Sequence, residues 1–483
     1  MRPASLQRPA RAVLGRPAAV DLCPDAGGRR SGREPLWWAP YAIAAVAFAA
    51  YAAYSIAQYL RIAEPSWDLA IFTQIVQGYA HLHAPVADIR GPHLDALGDH
   101  FSPVLAVLAP AYRVFPSPLT LQVAQAALFA VAIVPITRLA MRHLGRRTGV
   151  LVGVCYALAW GIQSAVAADF HEVAFAVPLL AFACAALVER RWRAAVLWSA
   201  PLVLVKEDLG LTVAAIGVYL VFRGERKLGL LTLVGGAVAT AVIIGLVIPA
   251  FNPHHTYTYW GMVHTSAAAN PVTLVTRLVS PATKLHTVLL LVAITGFAAL
   301  RSPLLLVGLP TLVWRFESAD SRYWGTSWHY SAVLMPIVFA AMVDGLVRLR
   351  SSDSPTVRSV VQRLPALALA VSLVLCVQFP LRDLVRPSSY QRLPASATAA
   401  VAAVPRGTSV ESDVGLLTLL VPHHTVFTIG DTGSTIPEYV AIDTSIEGSA
   451  ADSPVVFADS LHPGTTYRLV YRQGSYAVLQ VAR

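Results

Sequence analysis

The chain has 483 residues, 56% of them hydrophobic and only 13% charged, with a mean hydropathy of +0.58. A water-soluble core cannot enclose that much apolar surface, so the soluble globular class is excluded. The formal net charge of +10 does not point to nucleic acid, because the basic residues stand in short clusters between apolar stretches rather than along one stripe.

Residues 1–35, rich in Arg, Pro, Ala and Gly, suggest a disordered basic cytoplasmic tail. The apolar window 37–60 that follows is longer than a signal-peptide core and predicts an uncleaved first membrane helix. Basic clusters then punctuate the chain: Arg29, Arg30 and Arg33; Arg142, Arg146 and Arg147; Arg190, Arg191 and Arg193; Arg223, Arg226 and Lys227; Arg348 and Arg350. Held on the cytoplasmic side, they force the spans between them to alternate: 37–60 out, 118–140 in, 149–167 out, 173–188 in. The stretch 194–222 begins and ends at basic clusters and is broken by Lys206, Glu207 and Asp208, which predicts two half-length helices meeting at that triplet. Windows 228–250, 283–300, 303–316, 329–347 and 364–381 continue the alternation.

The expected fold class is an all-α polytopic membrane protein with about ten to twelve transmembrane or re-entrant helices. Its membrane domain covers 36–385, in the plasma membrane, with the N-terminus cytoplasmic. From 395 to 483 short alternating apolar runs such as HTVFTIGD and TYRLVYRQG predict a small extracytoplasmic α/β or mostly β domain. Cys23 lies in the tail and Cys155, Cys184 and Cys376 in predicted spans, a spacing that implies no disulfide framework or metal knuckle.

The same alternation places five polar groups on the outer side. Asp68 stands in the first turn of a predicted interfacial helix in EPSWDLAIFTQIVQGYA, with Ser66 as its expected N-cap and Trp67, Ile71 and Ile75 on one face. Asp99 and His100 follow in GPHLDALGDHFSP, where they either cap the next helix or face a cavity. Asp169, His171 and Glu172 form a charged knot between two apolar helices. The Lys206, Glu207, Asp208 triplet is costly in hydrocarbon and so is expected to face a polar cavity. The last group combines His254, His255, Tyr257 and Tyr259 with Arg315, Glu317, Asp320, Arg322 and His329, which are equally consistent with interface anchors. Together these side chains suggest a wet cavity able to hold a divalent cation, or to bind a phosphate and activate a hydroxyl. HExxH, GxGxxG, Walker A and Cys-His zinc spacings do not occur, which disfavours nucleotide-driven chemistry.

The runs SWDLAIFTQIVQGYA, GDHFSPVLAVLAPAYRVFPSPLTLQVAQAALFAVAIVPITRLA, DFHEVAFAVPLLAFA, KEDLGLTVAAIGVYL and WHYSAVLMPIVFAAMVDGL resemble a bacterial family of predicted membrane proteins of unknown function, grouped with the GT-C superfamily of membrane glycosyltransferases. The resemblance implies a GT-C-like fold and transfer of sugar at the outer membrane face from a polyprenyl-phosphate donor to a cell-envelope glycan or protein. It assigns Asp68 as the catalytic base by its place after the first span, with Asp99 as second candidate. His100, Lys206, Arg322 and His329 are then expected to bind substrate or phosphate. Asp169, His171, Glu172, Glu207 and Asp208 would shape the cavity or hold Mg or Mn. Two other functions fit the sequence: a lipid or solute transporter or flippase, suggested by the broken stretch 194–222, and a non-catalytic scaffold with an extracytoplasmic binding domain.

Overall fold

The computed structural model describes residues 37–63, 65–262 and 271–482. The basic tail and Cys23 lie outside the described residues. Among the described residues six helices are long and apolar enough to cross a membrane: Ala39–Leu60, Pro118–Leu144, Arg146–Ala167, Arg226–Phe251, His329–Arg350 and Pro355–Gln378. Five shorter apolar helices join them: Pro103–Val114, Glu172–Val188, Trp192–Leu204, Leu209–Phe222 and Ala282–Ala293. The shorter helices include the pair predicted on either side of Lys206–Asp208.

Ion pairs tie the basic turns together at one end of the bundle. Arg142 donates to Glu189 at 2.5 Å, Arg350 donates to the Leu144 carbonyl at 3.2 Å, and Asp344 accepts from Arg348 at 2.8 Å and from Ser302 at 2.6 Å. The acidic and histidine-bearing turns stand at the other ends of the helices that begin or end at these basic turns, and there Asp68 meets His171, Lys206 meets Glu172 and Glu207 meets His100. Glycine allows a close approach between Leu209–Phe222 and Arg226–Val242. A Cβ on Gly217 would lie 2.3 Å from the Leu233 amide nitrogen, and one on Gly236 would lie 2.4 Å from the Gly210 carbonyl. Side chains cannot fit there, so the backbones touch. The seam carries Thr240 up to donate to the Glu207 carbonyl at 3.1 Å, which anchors the triplet. Just beyond, Ile243–Val247 is π-helical, a local widening of the helix beside the site.

Residues from 395 onward build a five-stranded sheet of order β2-β1-β3-β5-β4, with β1 Ser409–Ser412, β2 Thr425–Thr428, β3 Tyr439–Asp443, β4 Tyr467–Gln473 and β5 Tyr476–Val481. Strands β2, β1 and β3 are parallel, while β5 and β4 add antiparallel. With helices Ala395–Ala402 and Pro454–Leu461 the unit is α/β. It docks on the helix Asp68–Ala80: Ala70 and Ile89 are buried among Val410, Leu420 and Val426. Gln74 also donates to the Val426 carbonyl at 3.0 Å while accepting from the Ile89 amide at 3.1 Å.

That docking changes the expectation for the interfacial helix. Its Leu69, Phe72, Ile75 and Val76 sit in the bundle core and its Ala70 in the core of the sheet unit, so protein covers both faces. Trp67, not Ser66, holds the N-cap position; Ser66 instead donates to the Asp68 carboxylate at 2.8 Å.

Candidate active site

The first shell is built from turns far apart in sequence. Asp68 opens its helix where the backbone N–H groups are unsatisfied and favour a carboxylate. Its Oδ2 accepts from Ser66 and, at 3.2 Å, from His171 Nε2. Burial pushes the Asp68 carboxyl up, but the hydrogen bond and charge of His171, together with Ser66 and Lys206, outweigh it and hold the group down at about 2. Asp68 is therefore a carboxylate throughout the physiological range.

Behind it, His171 stacks on His329 with ring centroids 3.5 Å apart, and Gln125 fixes the His171 backbone by accepting from its amide at 3.0 Å. Asp169 is fully buried in the left-handed region at φ 65°. Gln58 donates to its carboxylate at 3.1 Å and Gln125 to its carbonyl at 2.7 Å. Those bonds hold a strained turn that aims His171 at Asp68, so Asp169 shapes the site from behind. Lys206 donates to Glu172 at 2.8 Å, a pair with side chains 14% and 2% exposed. Glu207 accepts from His100 at 2.7 Å, from the Phe101 amide at 3.3 Å and from Tyr257 at 3.2 Å. Asp208 Oδ1 is buried with no hydrogen-bond partner among the described residues.

Asp99 does not cap the following helix. Its Oδ1 accepts from Tyr259 at 3.0 Å and from Arg90 at 3.5 Å. Arg90 carries little signal of its own in the sequence because it stands alone, outside the basic clusters; the available signal is its place in the same loop as Asp99. The structure leaves Arg322 apart from this assembly: it bonds Asp320 two residues away, with its side chain 66% exposed. His254 and His255 are exposed, whereas Tyr257 and Tyr259 from the same loop point inward to the carboxylates. Arg315 is fully buried and donates to the carbonyls of Tyr323, Gly325 and Tyr330, which makes it a clasp for the loop that carries His329.

Two hollows meet across His100 and Tyr259, whose rings stack at 4.3 Å. The smaller, about 90 Å³, is lined by Asp68, Asp99, Arg90 and Trp67. The larger, about 300 Å³, has Lys206, Glu207 and Asp208 at one side and walls of Tyr257, Trp260, Trp314 and Tyr323. Among the described residues no three His, Cys, Asp or Glu side chains converge as a metal cage. Glu172 Oε1 accepts from Lys206 and Glu207 Oε1 from His100.

The family described as Predicted membrane protein (DUF2079) matches residues 60–476. No curated relative matches the sequence. Among solved structures, ArnT from Cupriavidus metallidurans bound to undecaprenyl phosphate is similar at TM-score 0.55 and 12% identity, covering 92% of this chain and 98% of that one. The same enzyme in the apo state gives TM-score 0.51 and 11% identity over 91% and 97%. An oligosaccharyltransferase from Archaeoglobus fulgidus, in complex with Zn and sulfate, gives 0.42 and 13% over 90% and 73%. The chain belongs to the DUF2079 family of predicted membrane proteins, with a fold like that of ArnT and, among the described residues, six helices long and apolar enough to cross a membrane.

Proposed function

We propose that the protein is a glycosyltransferase that moves a sugar from a polyprenyl-phosphate donor onto a hydroxyl of a cell-envelope glycan or protein. In this reading the basic turns are cytoplasmic, and both hollows and the sheet unit face outward from the plasma membrane. The observation that carries it is the joining of two unlike hollows at the His100 and Tyr259 stack. One is apolar and aromatic with an ammonium at its edge, the other small and lined by two carboxylates and an arginine.

The aromatic hollow suits the first isoprene units and phosphate of the donor, with Lys206 as counter-charge. The acceptor hydroxyl enters beside Asp68 and Asp99. As the bond from the anomeric carbon to the phosphate oxygen breaks, the acceptor oxygen bonds that carbon through an oxocarbenium-like transition state. The hydroxyl proton passes to Asp68, and the lipid phosphate departs as its own anion. A carboxylate held near 2 takes that proton late, once the oxygen is bonded to the electron-poor carbon and has become strongly acidic. Asp99, tied to Arg90 and Tyr259, orients the acceptor.

The test is turnover of undecaprenyl-phosphate-linked pentoses and hexoses by the purified protein. Wild type is expected to consume at least one donor, and Asp68→Asn to bind it without consuming it. A folded wild type that binds none of the panel overturns the reading.

A further inference from the structure

We infer that the turns at 191–193 and 224–227 form a binding site for the phosphate headgroup of an anionic membrane lipid. Basic residues at helix ends follow from topology alone, and several here are already neutralised. Arg142 and Arg191 both reach Glu189, at 2.5 and 3.2 Å, and Arg348 reaches Asp344 at 2.8 Å. Arg193, Arg226 and Lys227 differ. Among the described residues none of them has a carboxylate partner, yet two turns more than thirty residues apart bring all three, with Trp192, around one hollow of about 790 Å³. Glu225 is the single acid on its lining. Topology requires positive charge at this level; it does not require three unpaired cations to converge.

The occupant follows from what borders the hollow. Leu231 on its edge is 73% exposed, and Leu230 and Val234 continue the open apolar surface at 52% and 56%. A phosphodiester seated among the cations would lay its acyl chains along that surface, whereas a soluble phosphate gains nothing from it. The helices rising from the hollow, Trp192–Leu204 and Leu209–Phe222, carry Lys206, Glu207 and Asp208 at their far ends. A bound headgroup therefore braces the hairpin that presents the triplet. The inference does not depend on the glycosyltransferase reading.

Full-length protein reconstituted in equal parts phosphatidylglycerol and phosphatidylcholine, then released for native mass spectrometry, tests it. Wild type is expected to retain phosphatidylglycerol preferentially. The triple variant Arg193→Gln, Arg226→Gln, Lys227→Gln is expected to lose that preference by at least about tenfold. A second variant, Leu231→Glu, leaves every basic residue and hence the topology in place but sets a carboxylate on the edge of the hollow; it should weaken retention too. Equal retention of the two lipids by wild type, or undiminished preference in both variants, overturns the proposal. So does displacement of the lipid by excess inorganic phosphate, which would mark a site for a soluble anion.

Discussion

Replacing Lys206 by Met removes the cation that contacts buried Glu172, and the size of the penalty follows from that geometry. The two side chains are 14% and 2% exposed and their charged atoms are 2.8 Å apart. An exposed pair lost in this way costs about 0–1 kcal/mol. Breaking a buried pair from one side costs about 3–5 kcal/mol, because the remaining charge is left without water or partner. At about 1.4 kcal/mol per tenfold, the ratio of folded to unfolded protein should fall by about two to three and a half orders of magnitude. Glu207 and Asp208, which Lys206 also neutralises, place the expected loss toward the upper end. The double variant Lys206→Met, Glu172→Gln removes the orphaned charge and should recover most of the stability. Unfolding in mixed micelles of rising SDS fraction, followed by tryptophan fluorescence, gives the order wild type, double variant, Lys206→Met. The reasoning is refuted if Lys206→Met unfolds with wild type, or if the double variant is no better than the single. Both variants should lose affinity for undecaprenyl phosphate equally, which separates the role of Lys206 in binding from its role in stability.

Gly217→Leu should cost about 1–3 kcal/mol or more by forcing the glycine seam apart, and show as aggregation on size-exclusion chromatography. Gly235→Leu, on the facing helix Arg226–Val242 but with nothing within 4 Å of its Cβ position, should run as wild type. Gln74→Ala leaves the Ile89 amide and the Val426 carbonyl without their partner at about 1–3 kcal/mol for each group, so limited proteolysis should release the region beyond 395 sooner than in wild type. The folded pKa of Asp68 lies below its ordinary value of 3.8, so its hydrogen bonds stabilise the fold fully above about pH 4 and are lost as pH falls toward 2. From pH 7 to 5 the stability difference between wild type and Asp68→Asn should therefore stay constant, and a difference that grows across that interval would contradict the assignment.

Much of the bundle was legible because hydrophobic length and basic punctuation are local quantities. The broken stretch 194–222 announced itself in the same way, since three charged residues cannot sit in a continuous apolar helix. The site was legible only as a set of residues expected on one side of the bundle. His100 and Glu207 are 107 positions apart and Asp68 and His171 are 103 apart, and nothing in the local pattern of either segment names its partner. Arg322 shows the converse error: a basic residue in an outer loop looks available for phosphate, but Asp320 two positions away captures it first. Arg90 was passed over because its importance comes from Asp99 and Trp67 around it, not from its own neighbours in the chain.

Hydropathy and charge along the chain were enough to read a membrane protein with many apolar helices and the break at Lys206–Asp208. These follow from the cost of placing charge and unpaired backbone in hydrocarbon, a cost each segment meets alone. That Asp68 and Asp99 line one hollow, that Lys206 answers Glu172 and that the sheet unit covers the helix bearing Asp68 are outcomes of packing between distant segments. Those choices depend on which helices pack together, and that is settled by close contacts such as the glycine seam, whose partners lie on different segments and are invisible to either one.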